Sequence, residues 1–386
     1  MGVGRFVYTP ILPLMQGQAG LSAAAGAELA AAHYAGYLVG ALAGIVAPAL
    51  IRSRSVLRGS LLLLTATLAA MPLTHTAPAW DALRLSAGSA SALVFVVAAS
   101  SLLHHLRDHP AHLPGWAFGG VGAGIALSGM LVLVLRSVAD WGAAWWAAAA
   151  LTTVLAGASW NLRPEGAPSA RTAPAAGVPR THRWFGALFV SYTLEGVGYI
   201  VAGTFLVAAI GQGSPGWVGS GAWVLVGLAA VPSSALWARL GRRWSRPGLL
   251  LAALVVQAAG IALPALVGGP VAALVAAVLF GATFLGVSTL ALAAGAHLRF
   301  PRSVALLTAG YSVGQILGPL VVAPLLHHGY RPALLLAALV VLAAAVAAAG
   351  LRTGFPHHMV VEGHTAASGR RISSKDADAL APHSAN

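Results

Sequence analysis

The segment GVGYIVAGTFL at residues 196–206 is similar to the segment GVGRFVYTPIL at residues 2–12. Both are apolar, and both begin with the same three residues. A weaker match pairs VGAGI at residues 121–125 with VGQIL at residues 313–317. Segments that recur in the same order in the two parts of a chain predict two related halves, as in membrane transporters built from parallel six-helix repeats.

The composition predicts a membrane protein. Of the 386 residues, 58% are hydrophobic and 8% are charged, whereas a soluble domain has about 25% charged residues. Continuous apolar runs of about twenty residues predict membrane-spanning helices rather than the alternating strands of a barrel. We predict twelve crossings, at residues 1–15, 28–51, 57–79, 82–103, 113–135, 141–161, 184–210, 216–238, 247–267, 270–296, 303–326 and 332–351.

The basic residues predict the orientation of these crossings. Of the 22 Lys and Arg residues, 18 lie in the tail and in every second break, starting with the break after the second crossing. The remaining breaks hold only Arg136 and Arg331, and Arg5 and Arg84 lie within crossings. This asymmetry is typical of cytoplasmic loops and predicts that both termini are cytoplasmic. The net charge of +13 therefore reflects orientation and does not indicate nucleic-acid binding.

The chain is expected to divide at RPEGAPSARTAPAAGVPRTHR, residues 163–183. Its Pro, Ala and Arg content predicts a flexible cytoplasmic linker. It would join an N-terminal six-helix half at 1–162 to a C-terminal half at 184–351, followed by a disordered cytoplasmic tail at 352–386. The glycines of GGVGAGIALSG at residues 119–129 resemble a nucleotide-binding fingerprint, but no strand precedes them. Their spacing instead predicts close contact between helices.

Five segments together resemble the YbfB/YjiJ-like branch of the major facilitator superfamily. They are GRFVYTPILPLMQ at residues 4–16, HYAGYLVGAL at 33–42, LEGVGYIVAGTFLVA at 194–208, FGATFLGVSTLALAAG at 280–295 and AGYSVGQILGPLV at 309–321. The resemblance implies an all-α membrane protein with twelve transmembrane helices, monomeric and located in the bacterial cytoplasmic membrane. It also implies a further half helix ahead of Gly4. Because crossing one would rise only about 22 Å at ~1.5 Å per residue, we expect that its first part is truncated here.

The wider superfamily adds two motifs. RLSAG at residues 84–88 resembles the arginine-to-glycine motif of proton-coupled members, and WARLGRR at 237–243 resembles the basic loop after the eighth helix. The resemblance implies a gating loop formed by Arg239, Gly241, Arg242 and Arg243. However, Ala238 stands where that motif usually has an aspartate, which makes the gating role doubtful.

Glu195 is the one acidic residue of nine that lies deep within a predicted crossing. It shares a helical face with Tyr192 and Tyr199. In the repeat alignment Arg5 corresponds to Tyr199, which lies about one turn from Glu195. An ion pair between Arg5 in the first half and Glu195 in the second is therefore expected. Glu195 could act as a protonatable coupling group. The alternative is a structural ion pair or hydrogen bond.

Arg84 is a second cavity candidate, although it could instead extend toward the membrane surface or pair with Asp81. Other polar groups at helical spacing in the first, second and eleventh crossings could line the same cavity. These are Tyr8, Thr9, His33, Tyr34, Tyr37, Tyr311 and Gln315. The loop HHLRDHPAH at residues 104–112 suggests metal ligands, but Pro110 interrupts it and a solvated loop is the preferred interpretation. We predict no metal or cofactor.

These observations favour a secondary active transporter that works by alternating access of two halves and is coupled to protons. The two buried cations and one buried anion favour a small organic anion as substrate. An exporter of apolar drugs, a multi-pass membrane enzyme and a transport-dead sensor or scaffold remain as alternatives. A nucleotide-driven pump is disfavoured because the sequence has no P-loop.

Overall fold

A computed structural model describes residues 1–105, 113–162 and 181–356. In these ranges the regular structure is helical, with 14 α-helices and short 3₁₀ segments at Met71–Leu73 and Ala323–His328. The α-helices are α1 Gly2–Phe6, α2 Tyr8–Gln18, α3 Ala23–Val46, α4 Pro48–Ile51, α5 Arg54–Ala70, α6 Ala77–His105, α7 Leu113–Leu135, α8 Trp141–Ala158, α9 His182–Gly213, α10 Gly216–Leu240, α11 Arg246–Leu266, α12 Gly269–His297, α13 Ser303–Val322 and α14 Tyr330–Gly350.

Ten helical segments of the described chain are long and apolar enough to cross a membrane. They match ten of the predicted crossings to within a few residues. The segment formed by α1 and α2 and the helix α8 are not among them, so the predicted count of twelve is not confirmed. In the first segment the helix is interrupted at Val7, and Pro10 and Pro13 each lack the backbone N–H that a helix interior uses.

Helix packing follows the same plan in both predicted halves. The helix of the second crossing, α3, packs on α6, and its counterpart α10 packs on α12. Glycine makes the first of these contacts close, because a Cβ atom on Gly36 would lie 1.9 Å from the carbonyl oxygen of Leu85. In the second contact, a Cβ on Gly281 would lie 2.3 Å from the carbonyl oxygen of Val226. Only glycine allows such backbone-to-backbone packing without displacement of the helices.

The two halves meet along α7 and α10, and also where α3 contacts α13. The α7–α10 contact, here called the glycine seam, is lined by Gly115, Gly119, Gly122 and Gly129 on α7 and by Gly227 on α10. A Cβ on any of these five glycines would lie within 2.8 Å of backbone atoms of the opposite helix. The seam extends for about 21 Å at ~1.5 Å per residue. The prediction that the glycines of residues 119–129 bring helices together is thus confirmed for Gly119, Gly122 and Gly129.

One end of the bundle, the predicted outer end, is joined by side-chain hydrogen bonds. The hydroxyl oxygen of Tyr330 lies 2.6 Å from Nε2 of Gln16 and 2.8 Å from Oε1 of the same side chain. Gln16 belongs to the first predicted half and Tyr330 to the second. This pair, here called the outer latch, links the halves directly.

Several sequence-based predictions fall wholly or mainly outside the described residues. Most of the HHLRDHPAH loop falls in the undescribed range 106–112, most of the predicted linker in 163–180, and most of the predicted tail in 357–386. Within the ranges that are described, no group of three or more His, Asp or Glu side chains could hold a metal ion.

Candidate functional site

Arg5 lies in a cage of aromatic side chains at the end of α1. Its guanidinium carbon is 4.3 Å from the ring centre of Tyr37, 5.4 Å from that of Tyr34 and 5.0 Å from that of Phe6. Only 8% of the residue is exposed, and its Nε atom has no hydrogen-bond partner. Aromatic faces stabilise a buried cation through their quadrupoles, and the hydroxyls of Tyr34 and Tyr37 also lie within reach of the guanidinium.

Arg84 on α6 is a second buried cation, with 2% of its surface exposed. Its guanidinium carbon lies 4.6 Å from the ring centre of Tyr8, and its Nε and Nη1 atoms have no hydrogen-bond partner. The alternative in which Arg84 pairs with Asp81 or extends toward the membrane surface is wrong for this structure. The side chain points inward, and the Asp81 Oδ1 atom has no partner.

The polar groups next to Arg5 on the same segment are occupied in contacts between helices. The Tyr8 hydroxyl donates to the carbonyl of Gly26 on α3 at 2.8 Å. The Thr9 hydroxyl donates to the carbonyl of Gly203 on α9 and so joins the two halves. Tyr8 therefore contributes its ring face to the site, whereas Thr9 is used in the interface.

Glu195 on α9 is fully buried, and its Oε1 atom accepts a hydrogen bond of 3.1 Å from Nε2 of Gln257 on α11. Its Oε2 atom has no partner. The expected pair between Arg5 and Glu195 is therefore not formed in this structure. The Arg5 guanidinium lies instead among the rings of Phe6, Tyr34 and Tyr37, and Glu195 bonds to Gln257.

A ladder of stacked aromatic rings lies next to both charged groups. Tyr192 stacks on Tyr311 with ring centres 4.4 Å apart, Tyr311 on Tyr199 at 5.8 Å, and Tyr199 on Phe284 at 5.2 Å. Tyr199 and Tyr311 lie near both Arg5 and Glu195. The ladder, formed by α9, α13 and α12, thus connects the cationic and the acidic part of the site.

Most of the remaining predicted cavity residues are also buried here. Gln315 on α13 is 1% exposed, and its amide nitrogen has no partner. Sequence reasoning missed Gln257 and Phe284. Gln257 carries a recognisable signal, because it is the one polar side chain in the otherwise apolar stretch from residue 247 to 267. A phenylalanine among many apolar residues carries no such signal.

The predicted gating loop lies away from this site. Helix α10 ends at Leu240, and Gly241 follows with ordinary right-handed backbone angles. Arg239, Arg242 and Arg243 are exposed, and no carboxylate of the described chain lies within ion-pair distance of them. The loop therefore presents positive charge at the predicted cytoplasmic end without the acidic partner that the motif usually carries.

Two cavities lie outside the central site. The first, of about 630 Å³, lies beside Met1 between α6, α7 and the end of α8, and its lining is mainly apolar. The second, of about 540 Å³, lies between the halves near the outer latch and includes Gln16, Arg136, Gln212 and Tyr330. Neither is lined by Arg5, Arg84 or Glu195, which are enclosed by the surrounding helices.

A bundle of long apolar helices with ionisable side chains enclosed between two halves is the architecture of a membrane transporter. The chain belongs to the family described as uncharacterised MFS-type transporter YbfB, whose family model matches residues 1–349. The family and the fold indicate a transporter rather than an enzyme. The predicted resemblance to this branch of the major facilitator superfamily is thus confirmed.

Among solved structures, a crystal structure of a mutant of the nucleoside transporter NupG is similar to this chain, with a TM-score of 0.68. The similarity covers 91% of this chain and 97% of that one at 15% sequence identity. At this identity the comparison supports the fold alone. No curated protein sequence matches the chain.

Proposed function

We propose that this protein is a secondary active transporter that moves a small organic anion across the bacterial cytoplasmic membrane in a proton-coupled cycle. The proposal that the substrate is an anion rests on one observation. Arg5 and Arg84 are both buried, and neither has a carboxylate within ion-pair distance in the described part of the chain. An unpaired buried cation is costly, and an anionic solute provides the missing charge.

Glu195 is the group proposed to carry the proton. It is the deep carboxylate of the chain, one of its oxygens is unpartnered, and Gln257 fixes the other. A carboxyl group enclosed in a membrane protein typically marks a proton or ion pathway. Tyr192, Tyr199 and Tyr311 of the aromatic ladder lie near both Glu195 and Arg5, and this ladder is proposed to link the charge on Glu195 to the charge of the solute.

Alternating access is proposed to occur by rocking of the two halves along the glycine seam. Opening of the predicted outer end would break the outer latch between Gln16 and Tyr330. We further propose that the protein works as a monomer with both termini in the cytoplasm, as the distribution of basic residues predicts.

The aromatic ladder favours a second candidate, a proton-driven exporter of planar apolar compounds. Four stacked rings provide a face on which such compounds could lie. This function would leave Arg5 and Arg84 without an anionic partner, and for that reason it ranks second.

The test uses purified protein in proteoliposomes with an imposed pH gradient and a panel of labelled organic anions. We expect Glu195→Gln to lose uphill accumulation but to keep exchange of labelled for unlabelled solute, because exchange needs no net change in protonation. We expect Arg5→Gln to lose both activities. Arg54→Gln, which changes an exposed cation on α5, is the matched control and should behave as the parent does.

Two results would contradict the proposal. Uphill accumulation by Glu195→Gln at the parental level would show that this carboxylate does not couple transport to protons. Transport of planar apolar compounds, without transport of any anion, would favour the exporter instead.

A further inference from the structure

His33 on α3 is a third basic side chain that lies beside both buried arginines. It is fully buried, and its ring lies near the side chains of Arg84 and Arg5. The ring packs edge-on against Tyr34 at 5.4 Å between centres. It approaches the backbone of Arg84, but neither ring nitrogen has a partner in good hydrogen-bond geometry.

Unsatisfied polar atoms are concentrated around this histidine. Besides the two nitrogens of His33, they include Nε of Arg5 and Nε and Nη1 of Arg84. A buried polar group without a partner costs about 1–3 kcal/mol, and such groups are rare in folded proteins. Several of them in one place indicate that their partners come from a bound ligand.

The two guanidinium groups lie on different rings. Arg5 lies on the ring of Tyr37, whereas Arg84 lies on the ring of Tyr8. Each planar guanidinium can bind one carboxylate through two parallel hydrogen bonds. Two such forks on different rings therefore fit two acid groups better than the single compact group of a phosphate ester.

From this geometry we propose that the anion is a short-chain dicarboxylate, with one carboxylate on Arg5, the other on Arg84, and a hydrogen bond from His33. This inference rests on the proposed function and specifies its substrate class. A dianion also matches the charge of the site, because it neutralises both cations, whereas a monocarboxylate leaves one of them unpaired.

The test measures binding of succinate, butyrate and methyl phosphate to the purified full-length protein at pH 7.5, by ligand-induced thermal stabilisation. We expect succinate to bind about 10- to 100-fold more tightly than butyrate, since it adds a second charge-assisted contact. Arg84→Gln should reduce succinate affinity to that of butyrate. His33→Phe should weaken succinate binding about tenfold, and Arg54→Gln should have no effect.

Equal affinities for succinate and butyrate in the parent would overturn the dicarboxylate assignment, and so would tighter binding of methyl phosphate. These comparisons use the parent protein and do not depend on the folding of any variant. If His33→Phe binds succinate as tightly as the parent does, His33 is not part of the binding site. If proton-coupled transport of butyrate is seen without a preference for succinate, only this inference fails. If no anion of any kind binds or is transported, the proposed function fails as well.

Discussion

Gly88 on α6 is the position where the smallest substitution should have the largest effect on this site. A Cβ atom on Gly88 would lie 1.9 Å from the carbonyl oxygen of His33 and 2.9 Å from the backbone nitrogen of Tyr37. An ordinary contact begins near 3.4 Å, so Gly88→Ala has to move the α3 backbone by about 1.5 Å. The obstacle is backbone, which cannot rotate away as a flexible side chain does.

The size of the effect follows from two opposing contributions. Overpacking costs about 1–3 kcal/mol, and we take the upper end because the clash is with backbone. Alanine regains about 1 kcal/mol of helix propensity over glycine. The net expectation is a loss of about 2 kcal/mol of stability. Because α3 carries Tyr34 and Tyr37, which hold Arg5, the same shift should displace the arginine cage and lower transport by roughly 100-fold, as expected for displacements of about 1 Å.

Thermal unfolding in detergent and anion uptake in proteoliposomes measure these two effects. Gly59→Ala on α5 is the matched control, because a Cβ there would have no atom within 4 Å, and it gains the same helix propensity. We expect this control to be as stable and active as the parent or slightly more stable. If Gly88→Ala matches Gly59→Ala in both assays, α3 and α6 are not in the contact described here and the reasoning is wrong.

Three further predictions concern topology, the outer latch and the glycine seam. Because the chain contains no cysteine, Ser55→Cys at the start of α5 and Thr76→Cys in the connection between α5 and α6 can each be probed with an impermeant maleimide in whole cells. Thr76→Cys should react and Ser55→Cys should not, and the opposite pattern would invert the predicted orientation. Tyr330→Phe removes the hydroxyl that contacts Gln16 and should make the outer end more accessible to an impermeant maleimide. Substrate affinity should stay within a factor of about three. Unchanged accessibility would argue against a latch. At Gly227 even a Cβ atom would lie 2.1 Å from a backbone nitrogen of α7, so the larger side chain of Gly227→Leu should abolish transport or folding. A fully active variant would exclude a tight seam.

Hydropathy predicted twelve crossings, and ten of them match long apolar helices to within a few residues, because a membrane imposes a minimum apolar length on every crossing helix. Sequence also indicated that Arg5, Arg84 and Glu195 are special, since charges within apolar segments are rare. It did not reveal their partners. The expected pair of Arg5 with Glu195 came from the repeat alignment, which fixes depth along the helix but not the direction of a side chain.

The actual partner of Glu195 is Gln257, 62 residues further along the chain. Such a pairing depends on the rotation of α11 about its own axis, and no local pattern encodes that rotation. The aromatic ladder was hidden for a similar reason. Tyr192, Tyr199 and Tyr311 could be proposed from helical spacing, but the stacking that joins Phe284 to them depends on three helices meeting at one place.

The glycine seam has a kinetic consequence. A contact formed by glycine on one helix and small apolar residues on the other has few rotamers to rearrange and no side-chain hydrogen bonds to exchange when one half rotates against the other, so it adds little to the activation barrier of each transport cycle. The barrier should then arise mainly where side chains do separate, at the outer latch and in the hydrogen bond from Thr9 to the carbonyl of Gly203. The glycine seam should therefore define the path of the motion. The few polar pairs between the halves should determine the turnover rate of the transporter.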